Sequence, residues 1–127
     1  MSVVALNHIN IAAPAPLLAQ VRDFYVDVVG LEDGSRPEMG LKGYWLYAGD
    51  AAIVHLMARD TPAAQAGAGY LDHVAFTCTG LEATEHRLTT LGIDYRKNDF
   101  PERGFAQLIV RDPTGLGVEL NFSLASA

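Results

Sequence analysis

The chain repeats itself. LNHINIAA (6–13) resembles LDHVAFTC (71–78), each with histidine third in a strand-like run, and AIVHLM (52–57) resembles GVELNF (117–122), each alternating around one potential metal ligand. His8 and His55 are 47 positions apart and His73 and Glu119 are 46, so the offset between copies is 65 at the first ligand and 64 at the second. Self-similarity of this kind implies two copies of one supersecondary unit.

Each copy reads β-α-β-β-β. In the first, a helix begins near Pro16 and carries Leu17, Val21, Phe24, Tyr25 and Val28 at helical spacing up to Gly30. Strands are predicted at about 32–36, 43–48 and 52–58. In the second copy a helix runs from about Glu82 to Leu91, with Ala83, Leu88 and Leu91 as its apolar stripe and Gly92 as its stop. Strands follow at about 94–98, 106–111 and 117–123, the last two joined by the turn Asp112-Pro113-Thr114-Gly115. QAGAGY (65–70) reads as a Gly/Ala linker, because no Gly-Lys-Ser/Thr follows to make it a phosphate loop. The organisation expected is a single domain over 1–127, made of module 1 (about 1–64) and module 2 (about 70–127). Its class is α+β, two βαβββ modules forming a curved, cup-shaped mixed sheet with helices outside.

Composition narrows the function. Half the residues are hydrophobic, as in an ordinary folded domain, and 127 residues suffice for a real core. Nine basic against fifteen acidic side chains leave a formal charge of −6, which argues against nucleic acid as a partner. The single cysteine, Cys78, offers no internal disulfide. No secretion signal is apparent and no apolar run approaches the roughly 20 residues of a membrane helix, so the expected location is cytoplasmic, away from membranes. Asn121-Phe122-Ser123 is sequon-like but falls within a strand.

Side chains alternate across a strand, which puts His8, His55, His73 and Glu119 each on the face away from the residues expected to pack against helices. For Glu119 the opposite face is Val118, Leu120 and Phe122; for His55 it is Val54 and Leu56. A lone strand histidine is more often a core or surface residue than a ligand. Three histidines and a glutamate at repeat-equivalent positions instead suggest one divalent transition metal, Fe, Zn, Ni, Co or Mn. His86, beside Glu82 and Glu85 on the second helix, reads as part of a solvated face.

The stretches LNHINIAA, VRDFYVDVVGLE, IVHL, LDHVAF and QLIVRDPTGLGVELNF together resemble the vicinal oxygen chelate superfamily, the glyoxalase, bleomycin resistance and extradiol dioxygenase group. The resemblance spans nearly the whole chain. It implies paired βαβββ modules around one divalent ion that chelates two substrate oxygens, with His8, His55, His73 and Glu119 where the family places its ligands. The reaction differs among members. His55 stands where glyoxalase I usually has a second oxygen ligand, and Ile109 and Phe100 stand where extradiol dioxygenases have a tyrosine and a histidine. Asn10 replaces the threonine of fosfomycin-modifying transferases, and GYWLYAG lacks the second acid of methylmalonyl-CoA epimerases.

On this resemblance the expected activity is metal-dependent lyase, isomerase or dioxygenase chemistry on a small bidentate-oxygen substrate, with Glu119 also able to serve as a base. Asn10, Thr77, Gln107 and Asn121 would supply hydrogen bonds, and Trp45, Tyr47, Met57, Phe105 and Ile109 apolar walls. Arg103 is a candidate for an anionic substrate group, though it reads more readily as a solvated loop residue. The rival expectations are a metal-free protein that sequesters a small drug-like molecule and a purely structural metal site. Relatives commonly pair, so a homodimer is expected.

Overall fold

Period-two alternation marks the strands that carry the core and the candidate ligands in the computed structural model, which describes residues 1–60, 71 and 73–124. The expected linker, 65–70, lies outside the described residues. Two compact units divide the chain, Met1–Ala64 and Gln65–Ala127. Each is a βαβββ unit with its own mixed four-stranded sheet.

In the first unit β1 (Ile9–Ala13) is followed by α1 (Ala15–Phe24), which widens into a π-helical turn over Tyr25–Val29. Then come β2 (Glu32–Gly34), β3 (Gly43–Ala48) and β4 (Ala51–Ala58), in sheet order β1-β4-β3-β2. β1 and β4 run parallel and the other pairs antiparallel. A parallel pair needs a long crossover, here supplied by α1 and the β2–β3 hairpin. The helix starts at Ala15, one residue before the expected Pro16, and proline sits in its first turn where no amide donor is needed. Its buried stripe is Leu18, Val21, Phe24, Tyr25 and Val28, with Leu17 only half-buried beside it. These meet Leu46, Val54 and Leu56 in the core.

The second unit contains β5 (His73–Cys78), α2 (Leu81–Leu91), β6 (Arg96–Phe100), a short 3-10 turn (Pro101–Arg103), β7 (Phe105–Arg111) and β8 (Gly117–Ser123), in sheet order β5-β8-β7-β6. Ala106, Leu108 and Val110 of β7 and Val118, Leu120 and Phe122 of β8 form its core. The stripe of α2 differs from the expectation. Leu88 is its fully buried residue, flanked by half-buried Leu81, Thr84 and Glu85, while Ala83 and Leu91 are exposed. Glu85 is therefore not on a solvated face: its carboxylate accepts from the Tyr95 hydroxyl at 3.0 Å and from Lys97 Nζ at 3.2 Å. β6 lies two residues later than expected, because the helix end at Gly92 is closed by Ile93 N–H on the Leu88 carbonyl, delaying the chain's entry into the sheet. β2 stops at Gly34, short of the expected 36.

The turn between β7 and β8 is as expected. Buried Asp112 accepts at Oδ1 from the Thr114 amide (2.7 Å), the Thr114 hydroxyl (2.6 Å) and the Leu116 amide (3.1 Å). An aspartate side chain that mimics backbone acceptors stabilises a turn of this kind.

Candidate metal and ligand site

In the first unit the candidate residues gather around His55. Register pairs His55 with Asn10 of β1 and with Trp45 of β3, and partners across a ladder share a face. Asn10, His55 and Trp45 thus form one row on the face opposite Val54 and Leu56. The His55 ring stacks on His8 (centroids 3.8 Å, 12° between planes) and on Trp45 (4.1 Å, 12°), so it is sandwiched between them.

A register shift in the β3–β4 ladder pairs Tyr47 with Ala52 and lets His55 Nε2 approach the Ala52 carbonyl at 3.0 Å. That nitrogen then carries the proton, leaving Nδ1 with the lone pair of the neutral ring. Burial lowers the His55 pKa from its ordinary value near 6.5, helped by the neighbouring His8 and less by Arg36, against the Ala52 carbonyl. A neutral imidazole is the form that binds metal.

His8 departs from the expected strand position. The ladder begins at Ile9↔Val54, so His8 precedes β1 and is exposed, its Nδ1 2.8 Å from Asn7 Oδ1. Met57 is half-buried on β4 opposite Ala12 and Gly43. The Tyr47 hydroxyl donates to the Ser35 carbonyl at 2.6 Å. Its ring lies over Gly34, where a Cβ would come within 2.7 Å of it.

In the second unit the focus is Glu119, whose ladder partners are Ala75 and Ile109. Gln107 Nε2 donates to Glu119 Oε1, and Asn98 Nδ2 donates to Gln107 Oε1 at 3.3 Å. The other oxygen, Oε2, lies 3.4 Å from His73 Nε2. The carboxylate is only 13% exposed and has no lysine or arginine in contact among the described residues. Thr77, Asn121 and Gln107 make the adjoining row, in which Asn121 Oδ1 is buried without a hydrogen-bond partner among the described residues. Ile109 is half-buried beside Glu119, whereas Phe105 stacks on Phe100 at the hairpin end (4.8 Å, 27°). Arg103 is exposed.

The ligand-type side chains therefore come as pairs, His8 with His55 and His73 with Glu119. Among the described residues no group of three or more His, Cys, Asp or Glu gathers to hold a metal. The donor chemistry fits a divalent transition metal: imidazole nitrogens, and a carboxylate held by an amide on one oxygen. The His8–His55 stack fits less well, since near-parallel rings 3.8 Å apart cannot both direct in-plane lone pairs at one ion about 2.0–2.1 Å away. Chelation by both requires His8 to swing off His55.

Three contributors escaped the sequence reading: the Ala52 carbonyl, Asn98 and Arg36. None lies on a periodic pattern of ligand-type residues. Only the ladder register brings Asn98 opposite Gln107.

Two units, each a βαβββ motif with ligand-type residues on the non-core face of its strands, define the glyoxalase/bleomycin resistance fold. A glyoxylase/bleomycin resistance protein/dioxygenase domain from Frankia shares that architecture at TM-score 0.76 and 16% identity, over 99% of this chain and 96% of that one. TnmS3, an antibiotic binding protein from Streptomyces, does so at TM-score 0.69 and 20% identity, over 97% and 98%. In sequence the chain is 27% identical to Glyoxylase I 4 of Arabidopsis thaliana, over 94% of this chain and 71% of that protein. No family model matches the chain. The chain thus has the glyoxalase/bleomycin resistance fold, and over most of its length its sequence is similar to the plant relative. No helix among the described residues is long and apolar enough to cross a membrane.

Proposed function

We propose that this protein is a divalent-metal-dependent enzyme acting on a small substrate with two adjacent oxygens, by lyase, isomerase or dioxygenase chemistry. The observation that carries the reading is the half-site around Glu119. A carboxylate with little exposure and no lysine or arginine partner among the described residues, held by Gln107 on one oxygen and turned to His73 with the other, is poised as a ligand or a base. His8, His55, His73 and Glu119 are the proposed ligands. Once bound, the ion would supply Lewis acidity towards the substrate oxygens.

The chain's own groups do the rest. Gln107 and Asn98 orient the Glu119 carboxylate, and the Ala52 carbonyl selects the His55 tautomer that leaves Nδ1 available. Asn10, Thr77 and Asn121 offer hydrogen bonds to substrate, the buried Asn121 oxygen being an acceptor in need of a donor. Trp45, Met57 and Ile109 supply apolar contact, and Tyr47 closes the β2 side. The full chain acts as one domain and as a homodimer in this reading.

A second reading is favoured by the ring stack His8–His55–Trp45: a metal-free cup that holds a planar molecule, as the likeness to an antibiotic binding protein would suit. Elemental analysis decides between them, using protein purified without chelators beside a His73→Ala, Glu119→Ala double variant. The expected result is about one equivalent of Fe, Mn, Co, Ni or Zn in the parent and none in the folded variant. A parent that neither carries nor takes up any of these metals excludes the enzyme reading.

A further inference from the structure

Arg36 follows β2 by two residues, in the loop that leads to β3. Its Nη1 donates to the Leu41 carbonyl at 2.9 Å, which fixes the guanidinium. The group also lies close against Gly43: a Cβ there would come within 2.9 Å of Nη2 and 3.0 Å of Cζ, so the missing side chain makes room for it. Nε is enclosed, and neither it nor Nη2 has an acceptor among the described residues; Nη2 is not among the enclosed polar atoms.

Arg36 contacts no acid among the described residues, and its location sets it apart from the other basic side chains: Gly43 stands two residues before Trp45 on β3 and pairs with Met57, two residues after His55 on β4. A fixed cation whose Nη2 has no acceptor among the described residues, one row from Trp45 and His55, is arranged to meet an anion from outside the protein.

We infer that Arg36 is the anion-recognition residue of the Trp45–His55 face, and that the small molecule bound there carries a carboxylate or comparable oxyanion. The inference rests on the reading that this face binds a small molecule, but it needs no metal.

Benzoate and benzamide test it, because they share a planar ring suited to the aromatic stack and differ in charge. Binding is followed in metal-free, full-length protein by NMR shifts of the single tryptophan, Trp45, and of the His55 ring. Benzoate should bind about ten-fold more tightly than benzamide, Arg36→Gln should erase the preference, and Arg36→Lys, which keeps the charge but not the fork, should retain part of it. Equal affinities, no binding of benzoate, or a preference that survives intact in Arg36→Gln overturns the inference. If Arg36→Gln does not fold, a preference undiminished in Arg36→Lys overturns it. Zn(II) uptake by the same parent samples separates the two ideas. Uptake without charge preference removes the role of Arg36 alone, and charge preference without uptake removes the metal while the anion site stands.

Discussion

His55 is the residue on which the first half-site turns, and its titration is a direct check. Its folded-state pKa lies below 6.5, so on acidification the unfolded chain takes up this proton before the folded one does. The contribution to stability is fully present above about 6.5 and is lost as pH falls from there through the folded value. An NMR titration should give a His55 midpoint below 6.5, and a midpoint above it would contradict the stacked, carbonyl-bonded ring. Gly34 makes a second prediction. A methyl group there meets the Tyr47 ring at 2.7 Å, so Gly34→Ala should lower stability by about 1–3 kcal/mol in chemical denaturation. The cost should shrink when Tyr47 is also replaced by alanine, because the two residues are in contact. At this scale the sequence revealed residue types but not neighbours. Gly34, Arg36 and Ala52 carry no periodic signal, and their roles arise from the Tyr47 ring across the β2–β3 ladder, from Gly43 beneath the Arg36 guanidinium, and from the His55 imidazole folded back along β4.

Strands and helices differ in how openly they declared themselves. β4, β5, β7 and β8 kept the predicted division of faces, because alternation is a local consequence of backbone geometry. The phase of α2 was misread. Its apolar residues suggested Ala83, Leu88 and Leu91, whereas the buried side runs through Leu81, Thr84, Glu85 and Leu88, with Glu85 made tolerable by Tyr95 and Lys97. Leu88→Ala should cost about 2–5 kcal/mol, as for other large-to-small core changes. Leu91→Ala, at a residue 45% exposed, should stay within about 0.5 kcal/mol. Comparable losses from the two, measured as denaturation midpoints, would restore the original phase.

For the molecule as a whole, duplication is the organising fact, each of the two compact units carrying one βαβββ motif. A bound ion would appear in global stability. At metal concentrations 100-fold above Kd the folded state gains about 2.7 kcal/mol. That gain should disappear in His55→Ala and in His73→Ala alike if a residue of each unit takes part. A gain kept in full by either variant would remove that histidine from the ligand set.

By itself the sequence determined the two βαβββ units and the faces of β4, β5 and β8 that carry His55, His73 and Glu119, since these follow from spacing along a regular backbone. Only the tertiary structure decided that His55 is sandwiched by His8 and Trp45, that Glu119 is held by Gln107, and that Arg36 Nε is enclosed with no partner among the described residues. Those facts depend on ladder register, a local shift in β4 and side-chain packing between segments far apart in the chain, which no local period encodes.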